Sequence, residues 1–194
     1  MQLYLLLDTS GSMEGAKIGA LNDAMDNIVV DLQEKASNGV DIEVSVLSFA
    51  RHINWMYKDP VNISDFTWKP LSVGGMTSLG EACCELAKAL ASHKYDEDIA
   101  IVLLSDGCPT DDYESGIFEL QQQPQFNHAT KYAIALGNDA DINLLMKFVG
   151  RQEYIFKDNK ADSLLDVLDS IIHNIIPDEP QTQISSADSA DDWD

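Results

Sequence analysis

The sequence predicts a three-layer α/β/α fold: a doubly wound, mostly parallel sheet with one antiparallel edge strand, lying between two layers of helices. Three observations lead there. LYLLL (3–7) and DIAIVLLSDG (98–107) contain continuous apolar runs, too short for helices that bury themselves and suited to parallel strands covered on both faces. Stretches with apolar residues at helical spacing separate the strand-like runs. The two kinds of segment alternate along nearly the whole chain, as parallel strands joined by crossover helices do.

In order, the 3–7 strand stops at Asp8 and gives way to a serine-rich turn. Ile18, Leu21, Met25, Ile28, Val29 and Leu32 then recur on one helical face, and Asn38-Gly39 supplies the stop. VDIEVSVLSF (40–49) alternates Val40, Ile42, Val44 and Val46 with Asp41, Glu43 and Ser45, which predicts a strand with one wetter face. INWMY (53–57) is expected to pair with it as a hairpin or edge strand, with Trp55, Phe66 and Trp68 as packing for that strand and its loop. A loop around Pro60 and Pro70 ends in VGGMTSLGE, after which Leu79, Cys83, Leu86, Ala87 and Leu90 mark a second helix. Beyond the 98–107 strand, helices are expected over 113–123 and 140–148 and strands over 130–136 and 153–156. A last helix carries Leu164, Leu165, Leu168, Ile171, Ile172 and Ile175.

The 194 residues suit one domain, assigned to 1–176. From Pro177 onward PDEPQTQISSADSADDWD holds six acids and neither Lys nor Arg, so 177–194 reads as an acidic disordered tail that cannot offset its own ordering entropy. The net charge of −21 repels phosphate backbones and anionic lipid, which argues against nucleic acid and membrane surfaces and leaves cations or basic protein patches as partners. No apolar run approaches the roughly 18 residues of a membrane span, and MQLYLLLDTS lacks the basic start of a secretion signal. Cys83, Cys84 and Cys108 form no CxxC pair, and a reduced, cytoplasmic setting is the expectation.

Ligands of open α/β sheets bind outside the carboxyl ends of the parallel strands. Asp8 and Asp106 each close a central strand, Ser10 and Ser12 follow Asp8 at alternate positions, and an extended turn would point all three side chains of the first loop the same way. The VGGMTSLG turn can add the hydroxyl of Thr77 or Ser78. Hard oxygens around a small void suit Mg²⁺, which takes about six oxygens near 2.1 Å, with Mn²⁺ or Ca²⁺ as substitutes. The opening turn has no thiolate or imidazole, which disfavours zinc. Gly11, Met13, Gly75, Met76, Cys108 and Asp111 adjoin these positions and are the candidate partner contacts.

Asp8-Thr9-Ser10-Gly11-Ser12, a threonine in a glycine-rich turn at Thr77, and Asp106-Gly107 at a strand end resemble the metal-ion-dependent adhesion site of von Willebrand factor A (VWA) domains, in that family's order and over about residues 1–176. Within the family, MQLYLLLDTSGSM and LLSDGCPTDDY look like the TerY-like bacterial proteins of tellurite-resistance and stress operons. The resemblance implies that Ser10, Ser12 and Thr77 coordinate the ion directly or nearly so, and Asp8 and Asp106 directly or through water. One position is then left for an Asp or Glu of a partner protein. It further implies a non-enzymatic interaction module in a tellurite-resistance or stress-response system. The second expectation, since TerY-like proteins accompany kinases and phosphatases, is a scaffold controlled by phosphorylation of Ser185, Ser186 or Ser189.

Each piece alone has an ordinary reading: Asp8 and Ser10 as caps of the first helix, Thr77 as a cap of the second, Asp106 as a turn former. Their coincidence at strand ends favours the site. Enzyme readings lack parts. Position 10 is serine where an aspartyl phosphatase has D-x-D, GSMEGAK lacks the P-loop spacing, and no G-x-S-x-G occurs. His52, His93, His128 and His173 stand without a partner motif.

Overall fold

A computed structural model describes residues 1–93, 98–106, 108–137, 140–157 and 163–177. The tail expected over 177–194 falls, apart from Pro177, outside the described residues. In chain order the elements are β1 (Gln2–Asp8), α1 (Ala16–Ser37), β2 (Glu43–Phe49), β3 (Ile53–Asn62), α2 (Leu79–Leu90), β4 (Ile99–Ser105), α3 (Tyr113–Gln121), α4 (Pro124–His128), β5 (Thr130–Ala135), α5 (Ile142–Val149), β6 (Ile155–Lys157) and α6 (Leu164–Ile175). The strands form one sheet in the order β3-β2-β1-β4-β5-β6, and every neighbouring pair is parallel except β2 with β3. The chain therefore winds outward from β1 in one direction and from β4 in the other. The crevice at the carboxyl ends of β1 and β4 is the switch point where such sheets hold ligands.

Both faces of β1 are covered, which is why its sequence is apolar without alternation. Leu3, Leu5 and Leu7 pack with residues of α1 and α6. Tyr4 and Leu6 pack with residues of α2, α3 and α5 on the opposite face. The α2–α3 contact is unusually close. A Cβ on Gly116 would lie 2.2 Å from the Gly80 carbonyl oxygen, and one on Gly80 would lie 2.4 Å from that of Asp112, so both positions require glycine.

Three local expectations change. β2 begins at Glu43 rather than Val40, and its polar face is not wet: Ser45 is fully buried, and its hydroxyl offsets that by donating to the Tyr57 carbonyl at 2.6 Å across the hairpin. β3 runs on past Tyr57 to Asn62, with register irregularities against β2 between Val44 and Leu47. The helix expected over 113–123 stops at Gln121, and Pro124 opens a short further helix, α4, at a first-turn position that needs no amide hydrogen. Phe66 and Trp68 are buried in the core on the α1 side, as their loop position suggested. Among the described residues no helix is long and apolar enough to cross a membrane.

Candidate metal centre

Three loops meet at the switch point, and main-chain hydrogen bonds fix their spacing. The first loop, after β1, is tied to the glycine-rich loop by Gly74 N–H donating to Thr9 O (2.8 Å) and Gly11 N–H donating to Gly75 O (2.7 Å). Gly75 sits at φ +80°, a conformation that favours glycine, and a Cβ on Gly11 would come within 3.2 Å of Gly75 O. The glycine-rich loop is tied in turn to the third loop, after β4: Thr110 N–H donates to Thr77 O (2.8 Å), and Thr77 N–H donates to the Thr110 hydroxyl (3.0 Å).

Asp8 is the last residue of β1 and is fully buried. One carboxylate oxygen accepts from Ser10 N–H at 2.8 Å and the other from the Ser105 hydroxyl at 2.7 Å. Burial pushes the Asp8 carboxyl above its ordinary range. Hydrogen bonds from Ser10 and Ser105 pull it back, and the nearby Asp106 charge adds a smaller upward push. A cation at the site would oppose both upward influences. The Ser10 and Ser12 hydroxyls lie 3.0 Å apart, brought together by a 3-10 turn over Gly11–Met13 rather than by the extended turn expected.

Ser12, Thr77 and Asp106 line a cleft of about 400 Å³ together with Gly11, Lys17, Gly75, Met76, Cys108, Thr110, Leu136 and Gly137. Asp106 is 6% exposed, and its Oδ1 is buried with no hydrogen-bond partner among the described residues. An unsatisfied carboxylate oxygen at that depth costs several kcal/mol by the usual desolvation reckoning, so the pocket is built for something that supplies positive charge. Among the described residues no cluster of three His, Cys, Asp or Glu side chains is placed to hold a metal. The donors gathered here are instead two carboxylates and several hydroxyls, a hard-oxygen set that fits Mg²⁺, Mn²⁺ or Ca²⁺.

Of the candidate partner contacts, Gly11, Gly75, Met76 and Cys108 line the cleft, with Met76 47% exposed. Two do not serve. Met13 is fully buried, because the 3-10 turn rotates it into the core on the α1 face. Asp111 spends both carboxylate oxygens on the amides of Gly80 (3.0 Å) and Glu81 (2.8 Å), where it caps the start of α2 from outside the helix. Sequence reasoning missed Ser105 and Thr110. Ser105 was visible as the serine before Asp106, and the pairing of Leu7 with Leu104 puts it beside Asp8. Nothing local marked Thr110, whose role depends on a loop 33 residues away.

The profile of the von Willebrand factor type A domain matches residues 2–170. The chain belongs to this family. VWA domains are in general non-catalytic modules of protein–protein interaction, often metal-dependent. No curated protein matches the sequence. Solved structures with the same VWA-like architecture include the pilus adhesin SpaC of Lactobacillus rhamnosus GG in its open conformation, with TM-score 0.73, 13% identity, and 90% of this chain covered against 30% of that one. A von Willebrand factor type A protein from Catenulispora acidiphila gives 0.68, 15%, 90% and 42%. Proximal thread matrix protein 1 from the mussel byssus, with a zinc-occupied MIDAS motif, gives 0.61, 17%, 90% and 44%. This VWA chain thus spans less than half the length of each of those chains, and at such identities the likeness is one of fold.

Proposed function

We propose that the cleft at the β1/β4 crevice is a metal-ion-dependent adhesion site that binds an Asp or Glu of a partner protein. Ser10, Ser12 and Thr77 would hold the ion through their hydroxyls, with Asp8 and Asp106 as direct or water-bridged ligands. A divalent cation bound there would supply an electrophilic centre able to take an outside carboxylate. The observation that carries this reading is the orphaned, buried Asp106 Oδ1 beside the hydroxyl-lined cleft. The chain's own part is to hold Asp8 in place through Ser10 and Ser105 and to keep the three loops in register. Mg²⁺ suits the oxygen set best. The zinc-occupied motif of the mussel protein makes Zn²⁺ the ion to titrate beside it.

The resemblance of MQLYLLLDTSGSM and LLSDGCPTDDY to TerY-like proteins supports a reading as a non-enzymatic adaptor in a cytoplasmic tellurite-resistance or stress-response system. Calorimetric titration of Mg²⁺, Mn²⁺, Ca²⁺ and Zn²⁺, followed by pull-down with and without EDTA, tests the proposal. The Asp8→Ala, Ser10→Ala double variant should keep its circular dichroism spectrum and lose both metal uptake and EDTA-sensitive partner capture. Undiminished capture would remove the metal bridge. The phosphorylation-controlled scaffold remains the second reading, checked by intact mass after coexpression with a kinase encoded beside it. An unmodified mass on Ser185, Ser186 and Ser189 counts against it.

A further inference from the structure

Away from the metal cleft, a second concavity of about 610 Å³ opens between α3, α4, β5 and α5. Its lining includes Lys131, Lys147 and Arg151, three of the chain's twelve Lys and Arg residues, and, among the described residues, no Asp or Glu. In a chain of net charge −21 that is a local reversal of sign. Lys131 is the fixed member. Its ammonium donates to the carbonyls of Phe126 (2.7 Å), Ala129 (3.0 Å) and Asn127 (3.4 Å) and stands 4.8 Å from the centre of the Phe126 ring. No carboxylate of the described residues forms an ion pair with it, and burial pushes it below its ordinary range. Lys147 pairs with Glu114 and Arg151 with Glu153 (3.4 Å), but both pairs are exposed, and such pairs exchange partners at little cost. Phe126 and Phe148, in edge contact at 5.3 Å between ring centres, lie beneath the cations and are buried in the core.

The position of the cleft bears on its occupant. Ala129, Thr130 and Lys131 place it at the amino end of β5, opposite the metal loops. The described chain leaves from that same end. The last turns of α1 (Asp31, Glu34, Lys35 and Asn38) lie against Asp169 and His173 of α6, so α6 runs toward the amino ends of the strands and delivers Pro177 there. Residues 178–194 hold six acids, no cation, and one tryptophan, in the closing run Asp191-Asp192-Trp193-Asp194. Fully extended they span about 55 Å, enough to pass around the β5–β6 edge. A segment of acids without a cation is the charge complement of a cleft rimmed by cations.

We propose that this basic cleft is the seat of the chain's own acidic segment 178–194, held in cis by Lys147 and Arg151 with the Lys131 charge behind them, at the opposite end of the sheet from the proposed metal site. The tether keeps the local concentration of the segment near the millimolar range, so contacts too weak to capture a free peptide suffice. Seated there, the segment leaves the metal cleft open to partners.

Carbodiimide cross-linking of the full chain, with peptide mapping by mass spectrometry, tests this. The reagent activates a carboxyl group, and a lysine amine within reach displaces it to form an amide with net loss of water. The Lys147–Glu114 link reports that the reagent enters the cleft. Links from Lys147 or Lys131 to Asp188, Asp191, Asp192 or Asp194 are expected, falling several-fold in 0.5 M NaCl and in Arg151→Glu. A mixture of light and heavy-isotope chains should give only like-with-like links. Mixed links would move the segment to a second copy and overturn the cis assignment. Links to Lys17 would place it at the metal cleft instead. Lys147–Glu114 links without any to 188–194, or yields indifferent to Arg151→Glu, would also overturn the proposal.

Discussion

Ser105 shows how the proposed metal site depends on residues outside its ligand set. Its hydroxyl is the donor to Asp8 Oδ2, and both groups are buried. Ser105→Ala should therefore cost about 1–3 kcal/mol in urea unfolding without metal, the range for stripping a donor from a buried charged acceptor. It should also weaken Mg²⁺ binding by letting the carboxylate turn. Asp106 works in the other direction. Its Oδ1, without a hydrogen-bond partner among the described residues, is a liability that a cation at the proposed site would remove, so saturating metal should stabilise the wild type strongly. At a hundredfold excess over Kd the linkage is about 2.7 kcal/mol, a rise in Tm of roughly 5–10 °C for a domain of this size. Asp106→Asn should abolish the rise while leaving the metal-free melting temperature unchanged or higher. A Mg²⁺-induced rise of equal size in that variant would contradict the assignment.

At the scale of elements, the α2–α3 crossing governs the third loop. Gly80 and Gly116 bring the two helices to backbone contact, and the Asp111 carboxylate and the Thr77–Thr110 pair lie at the same end of the crossing. Gly116→Ala has nowhere to put its methyl group and should cost at least 1–3 kcal/mol, the usual penalty of overpacking. Because α3 must back away, metal affinity should fall as well, although the residue is not in the site. Titration of the folded variant checks that coupling. α6 offers a contrasting case remote from the ion. Ser163 and Asp166 form a reciprocal capping box, so Ser163→Ala should cost about 1 kcal/mol. The Ser163 hydrogen bonds hold the Asp166 carboxyl below its ordinary range. A lowered acid contributes stability above its unfolded value, near 4, and loses it as pH falls through the folded one. The first turn of α6 should accordingly fray in amide exchange as the pH drops below about 4, and Asp166→Asn should flatten that dependence.

At the scale of the molecule, what could be read from the chain was what periodicity encodes. The continuous apolar runs of β1 and β4 announced strands covered on both faces, and the spacing along α1, α2 and α6 announced which face turned inward. The residues expected at the strand ends lie there because strand order and handedness put them there, and the DTSGS run marked the loop by its own chemistry. What escaped was set by distance in sequence. Ser45 looked like a solvent-facing residue until its cross-strand partner supplied an acceptor, Met13 looked like a rim residue until the 3-10 turn rotated it, and Asp111 looked like a charged rim until the start of α2 arrived beside it.

The margins of the sheet have their own consequence. One border, β3, carries Lys58, Asp59 and Pro60 along a pairing already irregular against β2, and the other, β6, is only three residues long. Neither gives a neighbouring chain an uninterrupted row of amides and carbonyls to zip onto. Recruitment of a neighbouring chain by strand addition, a common route to runaway self-association in sheet proteins, is thus disfavoured on both flanks.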